Sequence, residues 1–195
     1  MRFLLPILIL YIICRILSTF NRRLDHNSIR LYAKTMLKAA FPGSFDPPTS
    51  GHINIIQRAA SVFGELVIVI AENRQKKYLF SAQERADMMK ELVKNLKNVS
   101  VTVCDCLIVD FLEKEGIKIL VRGVRGVEDF SYEFEISMMN RTLDPEIETI
   151  FMTTAPEYFV IRSSTIKEVA SFNGNLHGMV PPLVAKALKD KYHGK

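Results

Sequence analysis

The chain contains no tryptophan and only three cysteines, Cys14, Cys104 and Cys106, among its 195 residues. Three thiols cannot all pair, so a fully bridged disulfide framework is excluded. The Cys104-Asp105-Cys106 spacing lacks the further ligands of a usual zinc site. Reduced thiols in a cytoplasmic protein are the expectation. No internal repeat is visible, which argues against solenoids and propellers. Two glycine-rich phosphate motifs are also missing: no Gly-Lys-Ser/Thr of a P-loop occurs, and no G-x-G-x-x-G of a dinucleotide fold.

A basic face for nucleic acid is lacking as well. The net charge is +5, but Arg2, Arg15, Arg22, Arg23, Arg30 and Lys34 all precede Met36, with Asp25 the sole acid among them. That segment carries the whole excess, and the rest of the chain is balanced. A balanced body is a poor footprint for duplex DNA or RNA, so no nucleic-acid partner is expected. Long hydrophobic runs are scarce too. "MRFLLPILILYIIC" is interrupted by Pro6 and stopped by Arg15, short of the roughly 18–20 residues that span a bilayer. It reads as an export or membrane signal, as an organelle-targeting peptide, or as the product of a start placed too far upstream. The expectation is an N-terminal extension over residues 1–35 and a single domain over residues 36–195. A membrane partner is expected only if that extension belongs to the working protein.

What is present is a hydrophobic content of 48% with 24% charged residues, enough for one domain with a core. From Met36 the pattern alternates. "MLKAAF", "ELVIVIA", "VSVTV", "IKILVRG" and "TIFMTT" read as buried strands. Helical patterns stand between and after them. One runs from about Ser50 to Phe63. A second is opened by a capping box, Ser81 to Glu84, and runs to about Leu96. "IVDFLEKEG" is short and ends at Gly116. "VEDFSYEFEISMMNRTL" carries both apolar and acidic residues. "STIKEVASF" is capped by Ser163 or Ser164, and "PPLVAKALKDKY" is opened by proline. Such alternation predicts an α/β fold, a doubly wound parallel five-stranded sheet. Ligands of these sheets bind beyond the carboxyl ends of the strands.

The residues after the strands are chemically suggestive. Phe41 to His52, "FPGSFDPPTSGH", leads straight into a helix. Thr49 or Ser50 can cap that helix. Gly43 lets a ligand approach the backbone, and the helix N-terminus with His52 beside it suits a phosphate. Lys76 and Lys77 follow the second strand, Ile108 the third, and Arg122, Gly123, Val124 and Arg125 end the fourth. "EYFVIRSST" follows the fifth, with Tyr158, Phe159, Val160, Ile161, Arg162, Ser163 and Ser164. A surface basic pair, an acidic helix face and an ordinary helix cap are the plainer readings of these stretches.

Taken together, "PGSFDPPTSGH", "VRGVRGVEDFSYEFEISMMN" and "IRSSTIKEVA" resemble the T/H-x-G-H nucleotidyltransferases, and within them the bacterial phosphopantetheine adenylyltransferases. The resemblance runs from about Met36 to the C-terminus. It implies a Rossmann-like domain that transfers the adenylyl group of ATP to 4′-phosphopantetheine, with dephospho-coenzyme A and pyrophosphate as products. It implies catalytic roles for His52, Lys76 and Arg125. ATP would contact Ser44, Phe45, His52, Gly123, Val124, Arg125, Glu133, Tyr158, Phe159, Val160, Ile161, Arg162, Ser163 and Ser164. The acceptor would contact Ser44, Lys76, Ile108 and Arg122. Asp129 and Asn140 would pack or pair. Mg2+ is expected with ATP and with no carboxylate cage of its own. A homohexamer and feedback inhibition by coenzyme A are further expectations. Ser44 and Arg162 depart from the commonest family residues, Thr and Ser. A nicotinamide mononucleotide adenylyltransferase, a cytidylyltransferase, and a non-catalytic, membrane-tethered nucleotide-binding protein are the alternatives.

Overall fold

The computed structural model describes residues 37–73 and 75–194. The reading of residues 1–35 lies outside them. Five strands alternate with helices: β1 Lys38–Gly43, α1 Ser50–Val62, β2 Glu65–Ala71, α2 Ala82–Val93, β3 Val99–Cys104, α3 Ile108–Lys114, β4 Ile119–Val124, α4 Val127–Leu143 and β5 Glu148–Thr153. A 3-10 turn, Pro156–Tyr158, then leads to α5 Ser163–Ser171 and α6 Pro182–His193. All neighbouring strands are parallel, in the order β3-β2-β1-β4-β5. This is the doubly wound architecture expected.

Strand alternation explains why helices cover both faces. Leu66, Ile68 and Ile70 of β2 join Ala39 and Phe41 of β1 in one cluster, packed with Ile55, Ile56 and Ala59 of α1 and Met89 of α2. Val67 and Val69 point the other way, into a second cluster with Ala40, Val109, Leu112, Ile117, Leu120 and Ile147. Successive side chains of one strand thus feed two cores, and the run reads as continuously apolar. A third cluster joins Ile166 and Ala170 of α5 to Val184 and Leu188 of α6 and to Phe80 and Met88.

Capping decides the helix starts. Ser81 and Glu84 form the expected capping box on α2. Gly116 follows α3 with φ of +65°, a left-handed turn that suits glycine. The expected cap on α5 is corrected. Arg162 occupies the cap position and no side chain caps the helix. The Ser163 hydroxyl is turned instead toward the Pro47 carbonyl, 2.9 Å away, a partner 116 residues distant. The apolar residues of α4 stay outside both sheet cores. Phe130, Tyr132, Phe134, Met138, Met139 and Leu143 are exposed, and only Asn140 of this helix is buried.

The sheet opens where the strand order reverses. β1 pairs with β2 over its whole length, Lys38 to Gly43. Its ladder with β4 covers only Ala39–Ile119 and Ala40–Leu120. The carboxyl halves of β1 and β4 therefore part, and a crevice is left there, at the switch point.

Candidate active site

Arg122 spans the parted strands. Its guanidinium donates from Nη1 to the Pro42 carbonyl at 3.1 Å and pairs through Nε with Glu133 of α4. The β1–β4 ladder stops short of Pro42, and the arginine meets the Pro42 carbonyl instead. Arg125, just past β4, donates to both carboxylate oxygens of Asp129, at 2.6 and 3.0 Å, and to the Ile161 carbonyl at 2.9 Å. Asp129 and Glu133 are four residues apart on α4, so one helix face presents both carboxylates. The expectation that Asp129 pairs is met. Glu133, expected at ATP, is held by Arg122.

His52 sits at the opposite wall, at the third position of α1. Thr49 is the N-cap, and its hydroxyl oxygen accepts the His52 backbone N–H at 3.3 Å. In return, His52 Nδ1 accepts the Thr49 backbone N–H at 3.0 Å, which completes a capping box with histidine in the usual place of Glu or Gln. This bond fixes the tautomer. Nδ1 is the acceptor, so the proton resides on Nε2. Burial, reinforced by the Arg125 charge, lowers the His52 pKa from 6.5 to about 4. The ring is therefore a neutral donor at physiological pH.

Phe45 supports that ring from beneath. Its centroid lies 5.0 Å from His52 and 5.6 Å from Phe41, both edge-to-face. Phe45 has φ of +47°, an uncommon conformation for a bulky residue. Its side chain is buried, so only its backbone can meet a ligand. The tight turn depends on Gly43, where a Cβ would lie 2.8 Å from the Phe45 ring. Two glycine readings change accordingly. A Cβ at Gly43 would strike Phe45, and one at Gly123 would lie 2.5 Å from Ile55 Cδ1 of α1. Both glycines admit protein packing first.

The other expected residues occupy the rim. Lys76 and Lys77 are exposed in the loop after β2, where the Lys76 N–H donates to the Asn73 carbonyl at 2.9 Å. Tyr158 closes on the first turn of α1, with its Cβ 3.4 Å from the space beside Gly51. Phe159, Val160 and Arg162 are exposed, and Arg162 reaches Glu128 at 3.6 Å. Ile108 opens α3 just after the carboxyl end of the edge strand β3, two strands across from β1. Ser164 lies on the first turn of α5.

Two supporting residues, Asp46 and Arg85, escaped the sequence reading. Asp46, 2% exposed, accepts from the Leu79 N–H at 3.0 Å, the Phe80 N–H at 3.0 Å and Lys167 Nζ at 2.8 Å. It ties the turn before α1 to the Lys76 loop and to α5. Arg85, fully buried, donates to the carbonyls of Ser44 at 2.7 Å and Phe80 at 3.1 Å and pairs with Glu72 at 2.8 Å. It lies 4.1 Å above the Tyr78 ring. The N-termini of α1 and α5, two arginines and a neutral imidazole donor thus face one crevice. That is an arrangement for holding a polyanion and donating to a charge that grows on it.

The fold and site define a nucleotidyltransferase of the cytidylyltransferase-like class, whose family profile matches residues 40–169. A putative nicotinate-nucleotide adenylyltransferase from Vibrio parahaemolyticus superposes with a TM-score of 0.59 over 82% of this chain and 97% of its own, at 15% identity. That likeness is one of fold. The phosphopantetheine adenylyltransferase of Dictyoglomus thermophilum is 46% identical over 157 residues, covering 80% of this chain and 96% of its own. That of Clostridium tetani is 44% identical over 157 residues, covering 80% and 98%. The chain belongs to the phosphopantetheine adenylyltransferase family.

Proposed function

We propose that the crevice transfers the adenylyl group of ATP to the phosphate of 4′-phosphopantetheine, releasing pyrophosphate and dephospho-coenzyme A, a step of coenzyme A synthesis. The observation that carries the reading is His52: a neutral imidazole with its tautomer fixed by Thr49, at a helix N-terminus and close enough to Arg125 to feel its charge. The attacking group is already an anion, so no general base is required. The barrier lies in bringing two anions together and in charge growing on the α-phosphate. His52 Nε2–H donates to that phosphate without carrying a formal charge. Arg125 and the first turn of α5, with Ser163 and Ser164, hold the β and γ end. Lys76, Ser44 and Arg122 hold the acceptor phosphate, and Ile108 lines the path of the acceptor arm.

Mg2+ enters as part of the MgATP substrate. Asp129 and Glu133, the carboxylates nearest the crevice, are engaged by Arg125 and Arg122. No group of three or more potential metal ligands occurs among the described residues. A homohexamer is part of the same proposal; the exposed apolar residues of α4, beside the edge strand β5, offer a surface for association, though they do not set the number of copies. Inhibition by coenzyme A and a cytoplasmic location belong to the same proposal. Among the described residues, no helix is long and apolar enough to cross a membrane.

The test measures pyrophosphate release from ATP with 4′-phosphopantetheine, with nicotinamide mononucleotide, and from CTP with a phospho-alcohol. Turnover with the first acceptor alone is expected. Faster turnover with either of the others overturns the assignment.

A further inference from the structure

Cys104 and Cys106 stand outside the chemistry above, at the carboxyl end of β3. Cys104 is the last residue of the strand and is buried, whereas Cys106 is exposed in the bend that follows. The bend folds the chain back on the buried sulfur. Cys104 Sγ lies 3.3 Å from the Cys106 backbone nitrogen and 3.3 Å from its carbonyl oxygen. Residues two apart in a bent segment keep their Cα atoms within about 7 Å, near the span a disulfide tolerates. Beside the pair is a cavity of about 430 Å³, lined by both cysteines with Thr102, Val103, Phe111 and Lys114. Asp105, Asp110 and Glu115 give its wall a net negative charge.

We propose that Cys104 and Cys106 form a thiol–disulfide exchange site for a neutral, low-molecular-weight disulfide. Cys106 is the entry nucleophile because, of the two, it is the one open to solvent. Its thiolate attacks one sulfur of R–S–S–R. The R–S–S–R bond breaks, a mixed disulfide forms on Cys106, and R–S⁻ leaves and takes up the proton that Cys106 had released. Cys104 then gives its proton to solvent and attacks Cys106 Sγ. The Cys104–Cys106 bond forms, and the second R–S⁻ leaves and is protonated. Two protein thiols are oxidised, and one disulfide is reduced to two thiols. Burial, and the Cys106 thiol beside it, push the Cys104 thiol up to about 11, so the second step is the slower one. The acidic wall selects against anionic disulfides by like-charge repulsion.

The experiment uses the full chain carrying Cys14→Ser, so that two thiols remain. The disulfide of pantetheine, which is neutral, and glutathione disulfide, which is anionic, are added in excess at mildly alkaline pH. Intact mass is followed in time. Expected first is one adduct, then a chain lighter by two hydrogens, with the neutral disulfide reacting several-fold faster. Cys104→Ser should hold the adduct on Cys106 without resolving it, and Cys104→Ala serves if that variant fails to fold. Cys106→Ser should stay unmodified while folded and react once unfolded in urea. The proposal is overturned if the folded parent chain does not react, if Cys106→Ser reacts as fast as the parent, or if glutathione disulfide is the equal or better partner.

Discussion

Replacing Asp46 by Asn tests whether the turn before α1 is held in place by its buried carboxylate. The carboxylate meets three donors: the Leu79 and Phe80 N–H groups and Lys167 Nζ. Asn keeps the shape but only one acceptor oxygen, and its amide nitrogen must face a donor. One or two charge-assisted bonds are lost, each contributing about 1.5–3 kcal/mol. Breaking a fully buried pair costs about 3–5 kcal/mol. Lys167 keeps 23% of its side chain exposed and can turn to water, which lowers the cost. A loss of about 2–4 kcal/mol is expected, a fall in Tm of roughly 6–12 °C. Function should suffer as well, because Asp46 joins the Lys76 loop to α1 and α5. Misplacement of binding groups by an ångström lowers kcat/KM by about 100-fold, so a fall of roughly 10- to 100-fold is expected. The assay pairs thermal and urea unfolding with turnover for Asp46→Asn, Lys167→Met and the double variant. Additivity within about 0.5 kcal/mol, together with kcat/KM within a few-fold of the parent, would refute the reasoning.

Four further outcomes are expected. His52→Ala should lower kcat by roughly 100-fold or more with little change in ATP affinity, and a kcat within a few-fold of the parent removes the role assigned to His52. The depressed His52 pKa also sets a pH window: above 6.5 the ring is neutral whether folded or not, whereas between 6.5 and about 4 only the unfolded chain binds the proton. Stability is therefore lost as pH falls through that window, by up to about 3 kcal/mol, and urea titrations of His52→Gln should show a shallower loss than the parent. Lys76→Ala and Arg122→Ala should weaken acceptor binding most, and Arg125→Ala ATP binding most; equal losses for both ligands by calorimetry contradict the division. If the proposed homohexamer forms through α4, Phe134→Asp and Met138→Asp should lower the sedimentation coefficient without loss of helix content, and an unchanged sedimentation coefficient speaks against that interface.

The two kinds of feature in this molecule differ in how far their physical causes reach along the chain. Strands, helix bounds and caps arise from neighbours in sequence. β2 is apolar throughout because both its faces are covered. α4 spans Val127–Leu143 as its unbroken, proline-free pattern predicts. Thr49 and Ser81 cap because the residue three on completes a box. The placement of the candidate residues is legible to the same extent: Arg122 lies near the carboxyl end of β4, Arg125 just past it, and His52 and the α5 turn follow β1 and β5, at the end of the sheet where a doubly wound fold puts its ligand. What holds them was not legible, because the partners are remote. Lys167 meets Asp46 across 121 positions, and Ser163 finds Pro47 rather than its own helix. The parting of β1 and β4 has no local signal either, since both strands read as ordinary apolar runs. Arg85 did carry one. It stands three and four residues before Met88 and Met89, on the stripe of α2 that turns inward. A guanidinium cannot be buried there without acceptors. The four carbonyls within its reach, those of Ser44, Ala71, Phe80 and Ser81, are what the fold supplies, with Glu72 as the counter-charge. A charged residue on an apolar helical stripe thus marks a place where loops from elsewhere must converge. Here one of those loops carries Ser44, and the residues that follow lead to His52.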